Sequence, residues 1–170
     1  MEVKIRPWEM EDAYDLAAAL NNKKVQDNLR DGIPYPFTVA DADMYISSVL
    51  RAPKDSLYAW AITVDNKAVG SISVCRKENI HRYTAEMGYY VAEPWWGKGI
   101  CTIAVKEACN YIFKNTDIIR IFAEPFADNI ASCRVLEKAG FVLEGTLRKN
   151  AVKNGKILDM KLYALLCPVS

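Results

Sequence analysis

The sequence predicts a single α/β (α+β) domain over residues 1–170, with helices flanking a mixed sheet of about seven strands. Three observations carry this reading. Stretches with strand-like and helix-like apolar spacing follow one another as strand, two or three helices, three strands, helix, strand, helix, two strands. A glycine turn, Gly97-Lys98-Gly99, joins a strand-like run at 83–91 to a helix-like run at 100–115. No internal repeat, linker or low-complexity tract interrupts the 170 residues, a length suited to one domain with a real core.

The elements follow in order. Residues 3–7 read as a short strand, and residues 9–20 set Ala13, Leu16, Ala17 and Leu20 on one helical stripe. Residues 21–37 are polar and then rich in Gly and Pro (Gly32, Pro34, Pro36), which predicts a short helix running into an extended loop. Thr38-Val39-Ala40-Asp41 has the form of a capping box, so a second helix starts there and runs to about residue 51. Residues 57–64 are nearly all apolar, as in a strand buried on both faces. Asp65-Asn66 supplies a turn, and residues 67–75 return with Ser71 and Ser73 alternating against Ile72 and Val74. A polar stretch at 76–82 leads to the strand at 83–91. After the glycine turn and its helix come a strand at 118–124 and a helix at 129–139 ended by Gly140. Strands at 141–147 and 157–165 close the chain as a hairpin, with Asn154-Gly155 between them as a type I′ turn signal.

Composition excludes several function classes. With 22 basic and 21 acidic residues the net charge is +1, which gives no global electrostatic case for nucleic acid or an anionic membrane. No apolar run approaches the ~20 residues of a bilayer span, and the N-terminus lacks the plan of a secretory signal. The five cysteines (Cys75, Cys101, Cys109, Cys133, Cys167) form no Cys-x-x-Cys pair and do not cluster with the lone His81. A disulfide framework and a zinc site are both poor readings, no metal is expected, and most of the cysteines read as small buried hydrophobes of a reducing cytosol.

The stretch Pro94-Trp95-Trp96-Gly97-Lys98-Gly99-Ile100 carries the chemistry. Two glycines one residue apart let successive N–H groups converge at a helix N-terminus, where unpaired amides and the dipole favour an anion. This suggests a pyrophosphate cradle, owned by a nucleoside triphosphate, a dinucleotide or coenzyme A. A Walker loop needs Gly-Lys-Ser/Thr after a longer glycine loop, which the chain lacks. A dinucleotide loop needs a third glycine where Thr102 stands, within an early strand–helix–strand unit. Coenzyme A gains from a second block downstream, Asn129-Ile130-Ala131-Ser132-Cys133-Arg134-Val135-Leu136-Glu137-Lys138-Ala139-Gly140-Phe141.

With these residues the chain resembles the GNAT superfamily of acetyl-CoA-dependent N-acetyltransferases. It is most similar to the RimJ/RimL branch, which acetylates ribosomal-protein N-termini. The resemblance runs over essentially the whole chain. It includes the loop Asn28-Leu29-Arg30-Asp31-Gly32-Ile33-Pro34-Tyr35-Pro36-Phe37-Thr38, the strand segment Ala85-Glu86-Met87-Gly88-Tyr89, and the hairpin from Leu147-Arg148 to Asp159 and Tyr163. One departure is Pro94, which stands where the family loop usually begins with Gln or Arg. Its missing amide lies outside residues 97–102, so little loss follows.

The resemblance implies a mostly antiparallel sheet and a division of labour. Glu86 takes the amine proton, through water. The Val91 N–H meets the developing oxyanion. Ser132 assists thiolate departure, because the position where many relatives carry a tyrosine, one turn later, is Leu136. Trp96, Gly97, Lys98, Gly99, Ile100, Cys101 and Thr102 hold the pyrophosphate, Asn129 meets the pantetheine arm, and Lys98, Arg134 and Lys138 meet the adenosine phosphates. Read from the residues alone, each has a plainer meaning. Glu86, sharing a strand face with Gly88 and Tyr90, is a solvated carboxylate; Ser132 is a small packing residue; Asn129 is a helix N-cap; the three basic residues are solvated charges. A nucleophilic Cys101 or Cys133 has no histidine near in sequence, and His81 reads as a surface residue.

The acceptor pocket is expected among the loop at 30–37, the strand and the final hairpin, with Arg30, Tyr35, Tyr89, Tyr90 and Asp159 as its binding residues; Tyr35 and Phe37 also read as core packing under a loop. An α-amine near pKa 8 suits one modest base better than a lysine amine near 10.4. The expected function is therefore a cytoplasmic transfer of acetyl from acetyl-CoA to a peptide N-terminal amine. The alternatives are a small-amine enzyme (polyamine or aminoglycoside type) and a non-catalytic coenzyme A sensor. A longer acyl group is disfavoured by bulky Trp60, Tyr89 and Tyr90. Neither nucleic acid nor membrane is expected as a partner, and an edge strand or aromatic surface leaves room for a homodimer.

Overall fold

In the computed structural model, which describes residues 1–168, seven strands form one sheet in the order β1-β2-β3-β4-β5-β7-β6. The strands are β1 (Val3–Pro7), β2 (Leu57–Val64), β3 (Lys67–Arg76), β4 (Thr84–Val91), β5 (Arg120–Ala123), β6 (Val142–Lys153) and β7 (Lys156–Leu166). Every neighbouring pair is antiparallel except β4 and β5, which run parallel. The helices are α1 (Ala13–Leu20), α2 (Lys23–Gln26), α3 (Val39–Arg51), α4 (Ile100–Asn115) and α5 (Ile130–Lys138).

Strand alternation sends apolar side chains to both faces, and each face is covered. On one, Leu16, Leu20, Ile46 and Phe37 pack with Trp8 over Ala61 and Ala68. On the other, Ile100, Val105, Ile112 and Leu136 of α4 and α5 pack over Ile62, Ile72, Val74 and Met87. Local signals act as the sequence predicts. Thr38 and Asp41 close a reciprocal capping box at the start of α3. Asp65, Asn66, Asn154 and Gly155 all take positive φ, the backbone of type I′ hairpins.

The feature that makes the site is a split between the two parallel strands. β4 pairs with β5 only at Thr84–Arg120, Ala85–Ile121 and Glu86–Phe122, then continues to Val91 paired with β3 alone. The chain after β5 leaves with β7 instead. The Lys161 amide donates to the Pro125 carbonyl at 2.9 Å and the Ala127 amide to the Asp159 carbonyl at 2.8 Å, while Phe126 bridges to Met160.

The structure corrects three expectations. β5 is shorter than residues 118–124, because the Ile119 amide turns onto the Tyr83 carbonyl and Ile118 onto the Thr116 hydroxyl. β6 runs to Lys153 rather than stopping at 147: the charged stretch 148–150 is absorbed as an irregularity in the ladder, with Lys149 at φ 52°. Of the cysteines only Cys109 and Cys133 are buried; Cys101 and Cys167 are half-buried and Cys75 is exposed.

Candidate active site

The split opens a cleft of about 1140 Å³ that is lined from both faces of the sheet. Its walls include Ile33, Phe37 and Tyr45 on the α1–α3 side, and Gly97–Thr102 with Asn129–Val135 on the α4–α5 side. Residues 86–91 of β4, which β5 leaves after Glu86, lie between the two halves.

On the α4–α5 side the glycine turn takes the conformation its spacing suggested. Gly97 and Gly99 sit at φ +72° and +77°, and a Cβ on either would meet nothing within 4 Å, so backbone conformation and not packing selects glycine. Gly99 is the N-cap of the 16-residue α4 and no side chain caps it. The first amides of this helix therefore face the cleft without an intrahelical acceptor. Lys98, Arg134 and Lys138 line the same wall, and none of them makes an ion pair among the described residues. Uncompensated cations beside uncapped amides make an anion site. The turn is braced from both ends: the Trp96 indole donates to the Val91 carbonyl at 3.0 Å, and Glu93 accepts from Asn22 at 2.7 Å and Lys24 at 2.8 Å. Those partners hold the Glu93 carboxyl below its ordinary pKa, Lys24 first and Asn22 second.

Asn129 does act as the N-cap of α5, its side-chain oxygen accepting from the Ser132 amide at 3.3 Å, while the residue also lines the cleft. Ser132 sits three residues on, and its hydroxyl lies 2.8 Å from the Tyr89 hydroxyl. Leu136 is fully buried. Cys101 lines the cleft, but burial pushes its thiol up to about 12, which leaves it protonated and a poor nucleophile. His81 is exposed and Cys133 buried, so no Cys–His pair exists here.

On the opposite side Glu86 stands at the last position of β4 that pairs with β5, its side chain only 18% exposed. Its Oε2 accepts from Arg30 at 2.6 Å and its Oε1 from Lys77 at 3.3 Å. Arg30 also approaches Glu124 at 3.9 Å and is itself 60% exposed, so the carboxylates are the fixed partners and the guanidinium the mobile one. Arg30 sits on a loop tied down by Gln26, which donates to the carbonyls of Leu20 and Pro34. The hairpin tip clasps the same loop through Lys153 to Asp31 at 3.1 Å and Asn154 to Asp27 at 2.9 Å.

Two of the expected acceptor-site residues stand outside the cleft, and a third lines its other side. Tyr35 is 56% exposed, outside the cleft lining, with Lys23 over its ring at 5.8 Å. Asp159 is outside it too; its carboxylate accepts from the Lys149 amide at 2.7 Å and so braces the β6 irregularity. Tyr89 lines the cleft but reaches the α5 side, while Tyr90, its neighbour, packs toward α1 and α3; burial drives both phenols well above their ordinary pKa. Trp60 packs between Tyr58 and Tyr111, away from the cleft, and sets no limit on an acyl group. Lys77 and Glu124 were not singled out in the sequence. Only the β3–β4–β5 register brings them to Glu86, and no local spacing announces that.

Among the described residues no group of three or more His, Cys, Asp or Glu is placed to hold a metal ion, and no helix is long and apolar enough to cross a membrane.

Comparison with known proteins bears on the cleft. Residues 2–142 match the model of the acetyltransferase (GNAT) domain. Over 120 residues the chain is 38% identical to the probable N-acetyltransferase YjcK of Bacillus subtilis, covering 69% of this chain and 66%, just under two thirds, of that protein. It is 28% identical to the putative ribosomal N-acetyltransferase YdaF of the same organism, covering 96% of this chain and 91% of that one. The fold is shared with a solved RimL ribosomal L7/L12 alpha-N-protein acetyltransferase in complex with coenzyme A, at a TM-score of 0.87 and 22% identity over 99% of this chain and 96% of that chain.

Proposed function

The chain belongs to the GNAT acetyltransferase family, and from that premise we propose that it moves an acetyl group from acetyl-CoA to a primary amine, above all to a peptide N-terminal α-amine. The observation that carries the reading is the two-sided cleft through the β4–β5 split: an anion cradle and a serine hydroxyl on one face, a half-buried carboxylate on the other. A donor and an acceptor entering from opposite faces meet at residues 86–91 without competing for one entrance.

The cradle fits the proposed co-substrate. The amides of residues 97–102 with Lys98, Arg134 and Lys138 hold the phosphates, and Asn129, which spends its oxygen on the helix cap, keeps its amide nitrogen for the pantetheine arm. Acetyl-CoA supplies a thioester carbon open to attack by an amine. Glu86 accepts the proton that the attacking amine loses, through a water, since both carboxylate oxygens already carry a cation. The Val91 N–H, at the end of the β4 edge that β5 leaves free, stabilises the developing oxyanion. The Ser132 hydroxyl donates to the departing thiolate. An α-amine, with a pKa near 8 against about 10.4 for lysine, is the easier acceptor to neutralise with a single carboxylate. The name of the relative YdaF, matched over nearly the whole chain, points the same way.

The deciding experiment incubates the protein with acetyl-CoA and a panel of amines and reads product by mass. The panel holds peptides with free Ala or Ser termini, polyamines and aminoglycosides. Acetylated peptide is the expected result. Acetylation of the small amines alone keeps the chemistry and removes the peptide acceptor. No product, with acetyl-CoA still bound, overturns the enzyme reading in favour of a coenzyme sensor. A second expectation concerns the cradle: Gly99→Ala forces a side chain into left-handed backbone at a cost of roughly 1–2 kcal/mol. Acetyl-CoA affinity measured by calorimetry should fall about tenfold if that conformation is needed to bind.

A further inference from the structure

The proposed transfer leaves one hydroxyl pair unexplained. Ser132 is asked to donate a hydrogen bond into the cleft, yet a serine hydroxyl has one proton, and nothing in the chemistry so far says where that proton points. Tyr89, reaching the α5 side from β4, answers this. Its Oη lies 2.8 Å from Ser132 Oγ and 3.2 Å from the Ser132 carbonyl oxygen. If the phenol donates to the carbonyl, the serine proton can rest on the phenol oxygen and the serine is silent. If the phenol donates to Oγ, the serine proton has no partner left on that side and is free to point into the cleft. A thiolate arriving in the cleft rewards the second arrangement, because a hydroxyl that accepts one bond donates the next more strongly.

On this geometry, and resting on the proposed transfer, we infer that Tyr89 is a positioning residue that turns the Ser132 hydroxyl toward the leaving thiolate. No proton leaves Tyr89. The phenol donates one bond, Ser132 Oγ donates the next, and the sulfur that receives it keeps the electron pair of the broken C–S bond. Two features favour a fixed donor. The ring is held in the main core, and burial keeps the phenol protonated at any working pH. The titratable groups that act on it are Cys101 on α4, Cys133 on α5 and Tyr163 on β7, and among the described residues no charged side chain hydrogen-bonds either hydroxyl. Leu136 offers no hydroxyl of its own and is fully buried, and Tyr89 is the side-chain hydroxyl in hydrogen-bond reach of Ser132 Oγ among the described residues.

The test needs no acceptor amine. Free coenzyme A is bound to the protein, and the ultraviolet absorbance of its thiolate is followed against pH, with desulfo-coenzyme A as the blank to cancel the protein's own cysteines. Ser132→Ala is expected to raise the thiol titration by about 1 unit, the scale of one lost bond to a charged group. Tyr89→Phe, which keeps the ring and removes only the hydroxyl, should raise it by about half as much through loss of orientation. In the Ser132→Ala background Tyr89→Phe should then change nothing further. A Tyr89→Phe titration identical to wild type overturns the inference, and so does a shift that persists undiminished when Ser132 is absent. If coenzyme A does not bind at all, the proposed function falls as well. If it binds and Ser132→Ala alone shifts the thiol, only the role of Tyr89 falls. If Ser132→Ala shifts nothing, the thiolate role of Ser132 goes and that of Tyr89 with it.

Discussion

Glu86→Gln is expected to lower kcat at neutral pH by roughly 10²–10³-fold, within the range that a positioned general base supplies, and the deficit should shrink as pH rises toward the pKa of the acceptor amine. The sign follows from what the base does. Below the amine pKa the acceptor arrives as an ammonium and must lose a proton before or during attack; above it the amine is neutral unaided, and the carboxylate has less to contribute. The same carboxylate also anchors Arg30 and Lys77 at the mouth of the split, so a loss of activity by itself would not separate base from brace. Arg30→Gln separates them. A brace predicts that Arg30→Gln reproduces the Glu86→Gln loss, flat with pH. A base predicts that Arg30→Gln leaves the pH dependence of turnover in place, since the carboxylate and its water remain. The measurement is kcat against pH for the three proteins with one acceptor; parallel profiles for Glu86→Gln and wild type would remove Glu86 from the base role.

Why these residues were visible, and others not, is a matter of the range over which their signals act. The glycine turn, the capping box at Thr38 and Asp41, and the hairpin turns at Asp65-Asn66 and Asn154-Gly155 are set by backbone preferences within a few residues, and each forms as its sequence predicts. The side of the sheet that Tyr89 faces was also legible. Strand alternation that groups Glu86, Gly88 and Tyr90 on one face necessarily sends Tyr89 to the other, so its assignment to the acceptor pocket contradicted the strand's own period. The split itself was not legible. It arises because the chain after Ala123 follows β7 through Lys161 and Asp159, partners that lie more than thirty residues downstream. Lys77 and Glu124 become neighbours of Glu86 only through that register. Asp159 and Tyr35 were misplaced for the same reason: a carboxylate that braces a strand irregularity and a tyrosine that leans on Lys23 look, in sequence, like any polar residue on a functional loop.

Gly70→Ala should destabilise the protein by about 3 kcal/mol or more, the upper part of the range for a forced side chain in a packed interior. Gly70 lies on β3 opposite Val91, where the β2–β3 ladder shifts register between Ile62 and Thr63. A Cβ there would run into the Tyr90 carbonyl oxygen and stand 2.8 Å from Val91 Cγ1 and 2.9 Å from Val91 Cα. Two of those three atoms are backbone, and the third belongs to a buried, branched side chain, so no flexible end can swing away. For a chain of this size the loss corresponds to a fall in Tm of roughly 6–12 °C. Gly88, on the neighbouring strand, is the control. A Cβ at Gly88 meets nothing within 4 Å, yet the residue lines the cleft between Glu86 and Tyr90. Gly88→Ala should therefore keep the Tm of wild type and lose turnover, because its methyl group takes space that the reacting amine needs. Thermal unfolding and acetylation measured side by side distinguish the two glycines. A Gly70→Ala protein that melts like wild type would mean that Tyr90 and Val91 can shift together, and the backbone that carries the Val91 N–H would then be too yielding to hold an oxyanion in place.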